Sequence, residues 1–183
     1  MPEDSKNIVY SKNVIEVITI ANDLCIFLEE FDKYDIAFSL LYLQKVLPLL
    51  YLKGALMPDI ENINDESNER FVTQEQWEDV YNKTKNKFGV KDTFYLVAST
   101  FQKSAEAAEA SMAECLADIY QDLKDFLLLY QKNTLTAQEN AVHSTKELFE
   151  THWGSKLLNV HRAIHSLLYK ASSSNSLLSF SSN

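Results

Sequence analysis

The stretch Thr73-Gln-Glu-Gln-Trp-Glu-Asp-Val-Tyr-Asn-Lys-Thr-Lys-Asn-Lys-Phe-Gly89 decides the fold. Thr73, followed three residues later by Gln76, is a capping box that satisfies two of the free N–H groups at a helix start. Trp77, Val80, Tyr81, Thr84 and Phe88 recur at spacings of three and four, so they share one face of a 3.6-residue helix. Gly89 then stands where the chain must leave the helix with a positive φ. Start, buried face and stop are all written within one segment.

The same punctuation recurs outward along the chain. Asn13 with Glu16 opens a first helix to about Phe31, whose inner stripe is Val14, Val17, Ala21, Leu24, Cys25 and Leu28. Asp35 opens a second that reaches Leu56. Pro48 should kink it, because its ring clashes with the preceding turn and it has no N–H to donate, while Gly54 and Pro58 close it. Ser111-Met-Ala-Glu114 starts a helix to about Lys132, and Thr136-Ala-Gln-Glu139 starts one that continues past Gly154 toward Lys170. In that last helix the apolar stripe shifts between Ala141–His152 and Leu157–Leu168, which predicts a bend near Trp153-Gly154 or a helix wrapped between two neighbours. Residues 90–103 are open between an extended piece and a short helix. The run 104–110 has helix-forming residues with little apolar surface, and reads as a mobile connection.

Composition agrees. Among 183 residues there are three glycines and three prolines, against roughly 12 and 9 at average usage. Clustered glycines of a dinucleotide or P-loop site are absent, as are the frequent turn residues of a β-sandwich. The expectation is an all-α, single-domain bundle of five or six helices over 1–171, with a Ser-rich flexible tail over 172–183. Seventeen basic and twenty-six acidic residues give a formal charge of −9, which opposes binding to nucleic acid or an anionic membrane and suits a basic protein partner. The most apolar segment, Ile36–Met57, is interrupted by Gln44, Lys45 and Lys53 and is read as non-spanning. The N-terminus lacks the apolar core of a signal peptide, so the expected setting is cytoplasmic. Cys25 and Cys115 sit among apolar residues and read as core side chains.

Carboxylates and histidines are the groups left for chemistry. Glu114, Asp118, Asp122 and Asp125 fall on one arc of a helix beside its apolar face, where like charges at i,i+4 repel and require compensation. Neighbouring lysines or arginines would supply it, and so would a divalent cation. In the second case Mg²⁺ or Mn²⁺ suits the oxygen ligands. Glu75 and Glu78 have the E-x-x-E spacing of all-α nucleoside-triphosphate pyrophosphohydrolases, but neither Asp122-x-x-Asp125 nor Glu114-x-x-x-Asp118 is the second motif of that superfamily. The acidic region Asp59–Arg70 lacks the alternation and glycine of an EF-hand. His161 and His165 are four apart, yet Arg162 stands where a zincin needs glutamate. They are read as packed, hydrogen-bonded histidines, His152 as a satisfied core histidine, and His143 as an outer-face partner for i,i+4 pairing.

Four segments resemble a bacterial, Bacteroides-type family catalogued as domain of unknown function 5063: Leu47-Pro-Leu-Leu-Tyr-Leu-Lys-Gly54, Phe71-Val-Thr-Gln-Glu75, Leu116-Ala-Asp-Ile-Tyr-Gln-Asp-Leu-Lys-Asp-Phe126, and Trp153-Gly-Ser-Lys-Leu157 with Arg162 and His165. The resemblance spans about Ile8 to Lys170 and implies an all-α fold in a bacterial cytoplasm; it carries over no activity. The functional expectation is a non-enzymatic protein-binding or adaptor module with an acidic helical face, needing no cofactor, and with Trp153, His161, Arg162 and His165 as a second candidate binding surface. The alternative is the metal-dependent pyrophosphohydrolase, with Glu75, Glu78, Glu114, Asp118, Asp122 and Asp125 as its ligands.

Overall fold

The computed structural model describes residues 8–60, 70–97 and 107–169. Six α-helices run through the described residues: α1 (Lys12–Glu29), α2 (Ile36–Ala55), α3 (Gln74–Phe88), α4 (Met112–Tyr130), α5 (Leu135–Leu148) and α6 (Gly154–Tyr169). Between α3 and α4 lies a small antiparallel pair, β1 (Thr93–Val97) and β2 (Ala107–Ser111), in register from Thr93 opposite Ser111 to Val97 opposite Ala107. The acidic positions 61–69 and the Ser-rich tail fall outside the described residues.

α4 is the axis of the bundle. Thirteen of its nineteen residues are buried, so it presents a packing surface almost all the way round. It touches α1, α3, α5 and α6, while α2 lies outside, against α1 and α6. Two caps set where α4 starts. The Ser111 hydroxyl accepts from the Glu114 N–H, and the buried Asp92 accepts from the Ala113 N–H at 2.7 Å. Lys85 neutralises Asp92 at 2.7 Å. A fixed carboxylate at this helix start also complements the macrodipole.

The α3 capping box forms in full, with Thr73 accepting from the Gln76 N–H and Gln76 from the Thr73 N–H. Gly89 takes φ +56°. Two other starts differ from the sequence expectation. α1 begins after Ser11, because Asn13 donates instead to the Leu56 carbonyl at 2.9 Å and Glu16 pairs with Lys53 at 2.7 Å. Both members of the expected box are spent on the end of α2. α5 begins after Thr134, which accepts from the Ala137 N–H, two residues earlier than Thr136.

The ambiguous 90–103 region contains a strand, as its β-branched and aromatic Thr-Phe-Tyr-Leu-Val allows. The alanine-rich run supplies the other strand, so cross-strand pairing overrides helix propensity over 107–111. The stripe shift near Gly154 also has a cause. Phe149–Trp153 is a π-helical stretch with i→i+5 winding, and the slower rotation re-phases the apolar face between α5 and α6.

Gly54 and Gly154 both serve this turn. A Cβ on Gly54 would lie 2.6 Å from Trp153 Cη2 and 2.7 Å from Phe149 Cδ2, so the glycine is the notch in α2 that admits these rings. α2 continues as one helix through Pro48, which lies on its exposed side.

Candidate functional site

The acidic stripe of α4 faces other parts of the chain. Asp118 accepts from the Trp77 indole N–H at 2.9 Å and pairs with Lys156. One turn on, Asp122, 2 % exposed, meets His152 Nδ1 at 2.5 Å and Arg70 at 3.0 Å. Steps of four along α4 are matched by steps of four backward along the antiparallel Phe149–Tyr169 segment, which gives a ladder of paired side chains. Asp125 completes it. One oxygen accepts from the backbone N–H groups of Phe71 and Val72 at 2.7 and 2.8 Å, and the other meets Arg70 at 3.2 Å. This carboxylate therefore fastens the segment that leads into α3.

These contacts engage Asp118, Asp122 and Asp125, which the alternative reading gave to a metal. Glu75, Glu78 and Glu114 are exposed, and Glu78 is held by Gln74. Among the described residues no group of three or more His, Cys, Asp or Glu side chains is placed to share an ion. A positive charge does compensate the stripe; it comes from Arg70 and Lys156. Desolvation lowers the basicity of Lys156, but its bond to Asp118 outweighs this and holds its pKa above the usual value. Arg70, whose hydrogen bonds run to Asp122 and Asp125, behaves the same way. An open cleft of about 390 Å³ adjoins the ladder, with Arg70, Asp122 and Asp125 on one side and Ser144, Thr145 and Thr151 on the other.

The second candidate surface is dispersed. Trp153 has no exposed surface; its indole N–H donates to the Thr145 carbonyl within the core, because Gly54 opposite leaves room for it. Arg162 donates to the Tyr95 carbonyl on β1 at 2.8 Å. His165 is exposed and lies against Tyr169, with ring centroids 4.7 Å apart, while His161 is half-buried. Neither the core position expected of His152 nor the helical pairing expected of His143 forms. The first is 39 % exposed and the second meets the Ile60 carbonyl at 2.7 Å.

Sequence reasoning passed over the outer face of α2. Its exposed residues are Ala37, Phe38, Leu41, Lys45, Pro48, Leu49, Leu52 and Ala55, continued by Leu56. Lys45 alone is charged. Phe38, Leu41, Leu49, Leu52 and Leu56 are each 44–53 % exposed. Their remaining surface is on the order of 500 Å², near the top of the range for the largest apolar patch of a monomer. The inner face of the same helix (Leu40, Leu43, Leu47, Leu50 and Gly54) is buried in the bundle. α2 has the length and composition of a membrane span, at a mean hydropathy of 1.3, yet only one side of it is unpartnered. The signal was present in the sequence, since Ile36–Met57 contains no acidic residue at all.

An all-α bundle wound on one buried helix, braced by an internal charge ladder and bare on one outer helix face, is the class of protein these features define. The model of the domain of unknown function DUF5063 matches residues 8–170, and the chain belongs to that family. It is similar in structure to protein BF1032 from Bacteroides fragilis, a structural-genomics target, with a TM-score of 0.79 and 34% sequence identity over 88% of this chain and 96% of that one. No functionally curated protein matches it.

Proposed function

We propose that the protein is a non-enzymatic binding module whose docking surface is the outer face of α2. One observation carries the reading: eight of the nine exposed residues from Ala37 to Leu56 on that face are apolar. Burying the exposed half of Phe38, Leu41, Leu49, Leu52 and Leu56 would contribute roughly 1 kcal/mol each. A protein partner with its own apolar stripe recovers that energy. A formal charge of −9 disfavours an anionic lipid surface as the occupant. The acidic stripe expected to face the partner is turned inward, so the apolar helix takes over that role.

Site-specific photo-crosslinking tests this. Benzoylphenylalanine at Leu49 should give a discrete covalent protein adduct in native cells, and Leu52→Glu should abolish it. The same group at Thr136, exposed on the first turn of α5, should give none. Absence of the Leu49 adduct, or crosslinking to lipid only, would refute the docking surface.

A further inference from the structure

We propose that the groove between α1 and the start of α2 receives a cationic side chain, lysine or arginine, of the docking protein; this rests on the reading of α2 as a docking face. The groove holds about 310 Å³ and is lined by Asp23, Ile26, Phe27, Tyr34, Phe38 and Tyr42. Phe38 belongs to both the groove and the outer face of α2, so a partner seated on that face reaches the groove.

The rings form one cluster. Phe27 lies 5.0 Å from Tyr34 and 4.1 Å from Tyr42, centroid to centroid, and Phe38 lies 5.4 Å from Tyr34 and 6.4 Å from Tyr42. Asp23 stands beside them, exposed and without an ion pair among the described residues. No lysine or arginine lines the groove. Burial pushes the Tyr42 hydroxyl above its usual pKa, and Asp23 and then Tyr34 add to the effect, so this wall is both partly dry and negative.

Two physical effects select a cation over an apolar guest. Aromatic faces attract lysine and arginine through the ring quadrupole, and the aliphatic stem of either residue packs on Ile26 and Phe38. An apolar guest would take Asp23 out of water with nothing to offset the loss. A cation keeps that carboxylate paired. The basic partner suggested by overall charge thus acquires a specific place of contact, on a different helix from the acidic stripe.

The test titrates the full chain at low salt with Nα-acetyl-arginine amide and Nα-acetyl-lysine amide. The uncharged citrulline and norleucine amides serve as controls, with NMR of Ile26, Tyr34, Phe38 and Tyr42 as the readout. Saturable shifts with the cations are expected, with the neutral compounds at least about fivefold weaker. Asp23→Asn, an exposed substitution, should weaken the cations about two- to fivefold, and Tyr42→Leu should act in the same direction. Thr136→Glu, on the exposed first turn of α5, should leave the binding unchanged. Equal binding of neutral and cationic probes, unchanged affinity in Asp23→Asn, or no saturable shifts would overturn the assignment. The Leu49 photo-adduct would still form in each of those cases if the docking face itself is right, so the two readings fail separately.

Discussion

Replacing Gly54 with alanine should destabilise the protein even though alanine is the better helix former. The added Cβ would sit 2.6 Å from Trp153 Cη2 and 2.7 Å from Phe149 Cδ2, about an ångström inside the normal carbon–carbon contact distance. Both rings are rigid, Trp153 is fully buried, Phe149 is 9 % exposed, and the two pack against each other at 4.8 Å. Overpacking of this kind costs about 1–3 kcal/mol after relaxation. The two blocking groups are rings and not flexible chain ends, so the cost belongs at the upper end. Helix propensity returns about 1 kcal/mol, leaving a net loss of about 1–2 kcal/mol. At this chain length that corresponds to a fall in Tm of roughly 2–8 °C. Urea unfolding followed by tryptophan fluorescence reads it, since Trp153 is itself at the contact. Phe149→Leu in the same chain should relieve part of the penalty, giving a coupling of about 1 kcal/mol. Gly89→Ala, with nothing within 4 Å of its Cβ but φ +56°, should also destabilise while showing no such coupling. A Gly54→Ala protein as stable as the parent would refute the notch.

Asp125→Ala should cost about 3 kcal/mol, because it strips two backbone N–H groups and Arg70 of a charged acceptor. Hydrogen exchange at Phe71 and Val72 should accelerate well before that of the α4 core, and unchanged protection there would contradict the anchoring role. A third expectation concerns alkaline pH. Burial pushes the Cys115 thiol from 9.0 up to about 11, and Cys25 higher still. Between pH 9 and 11 the unfolded chain therefore holds fewer protons than the native one, so stability must fall as pH rises. In Cys115→Ala that decline should be shallower by up to about 1.4 kcal/mol per pH unit. An identical slope would place Cys115 in a wetter environment than the bundle interior.

What the sequence determined by itself is local. The α3 box from Thr73 to Gln76, its stop at Gly89, the Asp35 cap and the all-α class follow from interactions within a few residues, and they hold wherever no tertiary partner competes. Asn13 and Glu16 show what happens when one does: both have box chemistry, and both are claimed by the end of α2, leaving Ser11 as the boundary. The β-hairpin shows the same effect, since 107–111 becomes a strand only by lying beside Thr93–Val97. The acidic stripe could be read from helical spacing, but its partners could not. Arg70, His152 and Lys156 are 30 to 55 positions away from the carboxylates they meet, and spacing along one helix carries no information about what packs across from it. Trp153 and the outer face of α2 make the same point from opposite sides. An aromatic that looked available is buried because Gly54 makes room for it, and the most apolar helix keeps one face bare because α1 and α6 cover only the other. Which faces are covered is a property of the packed bundle, and that alone moved the candidate function from carboxylates to an apolar helix.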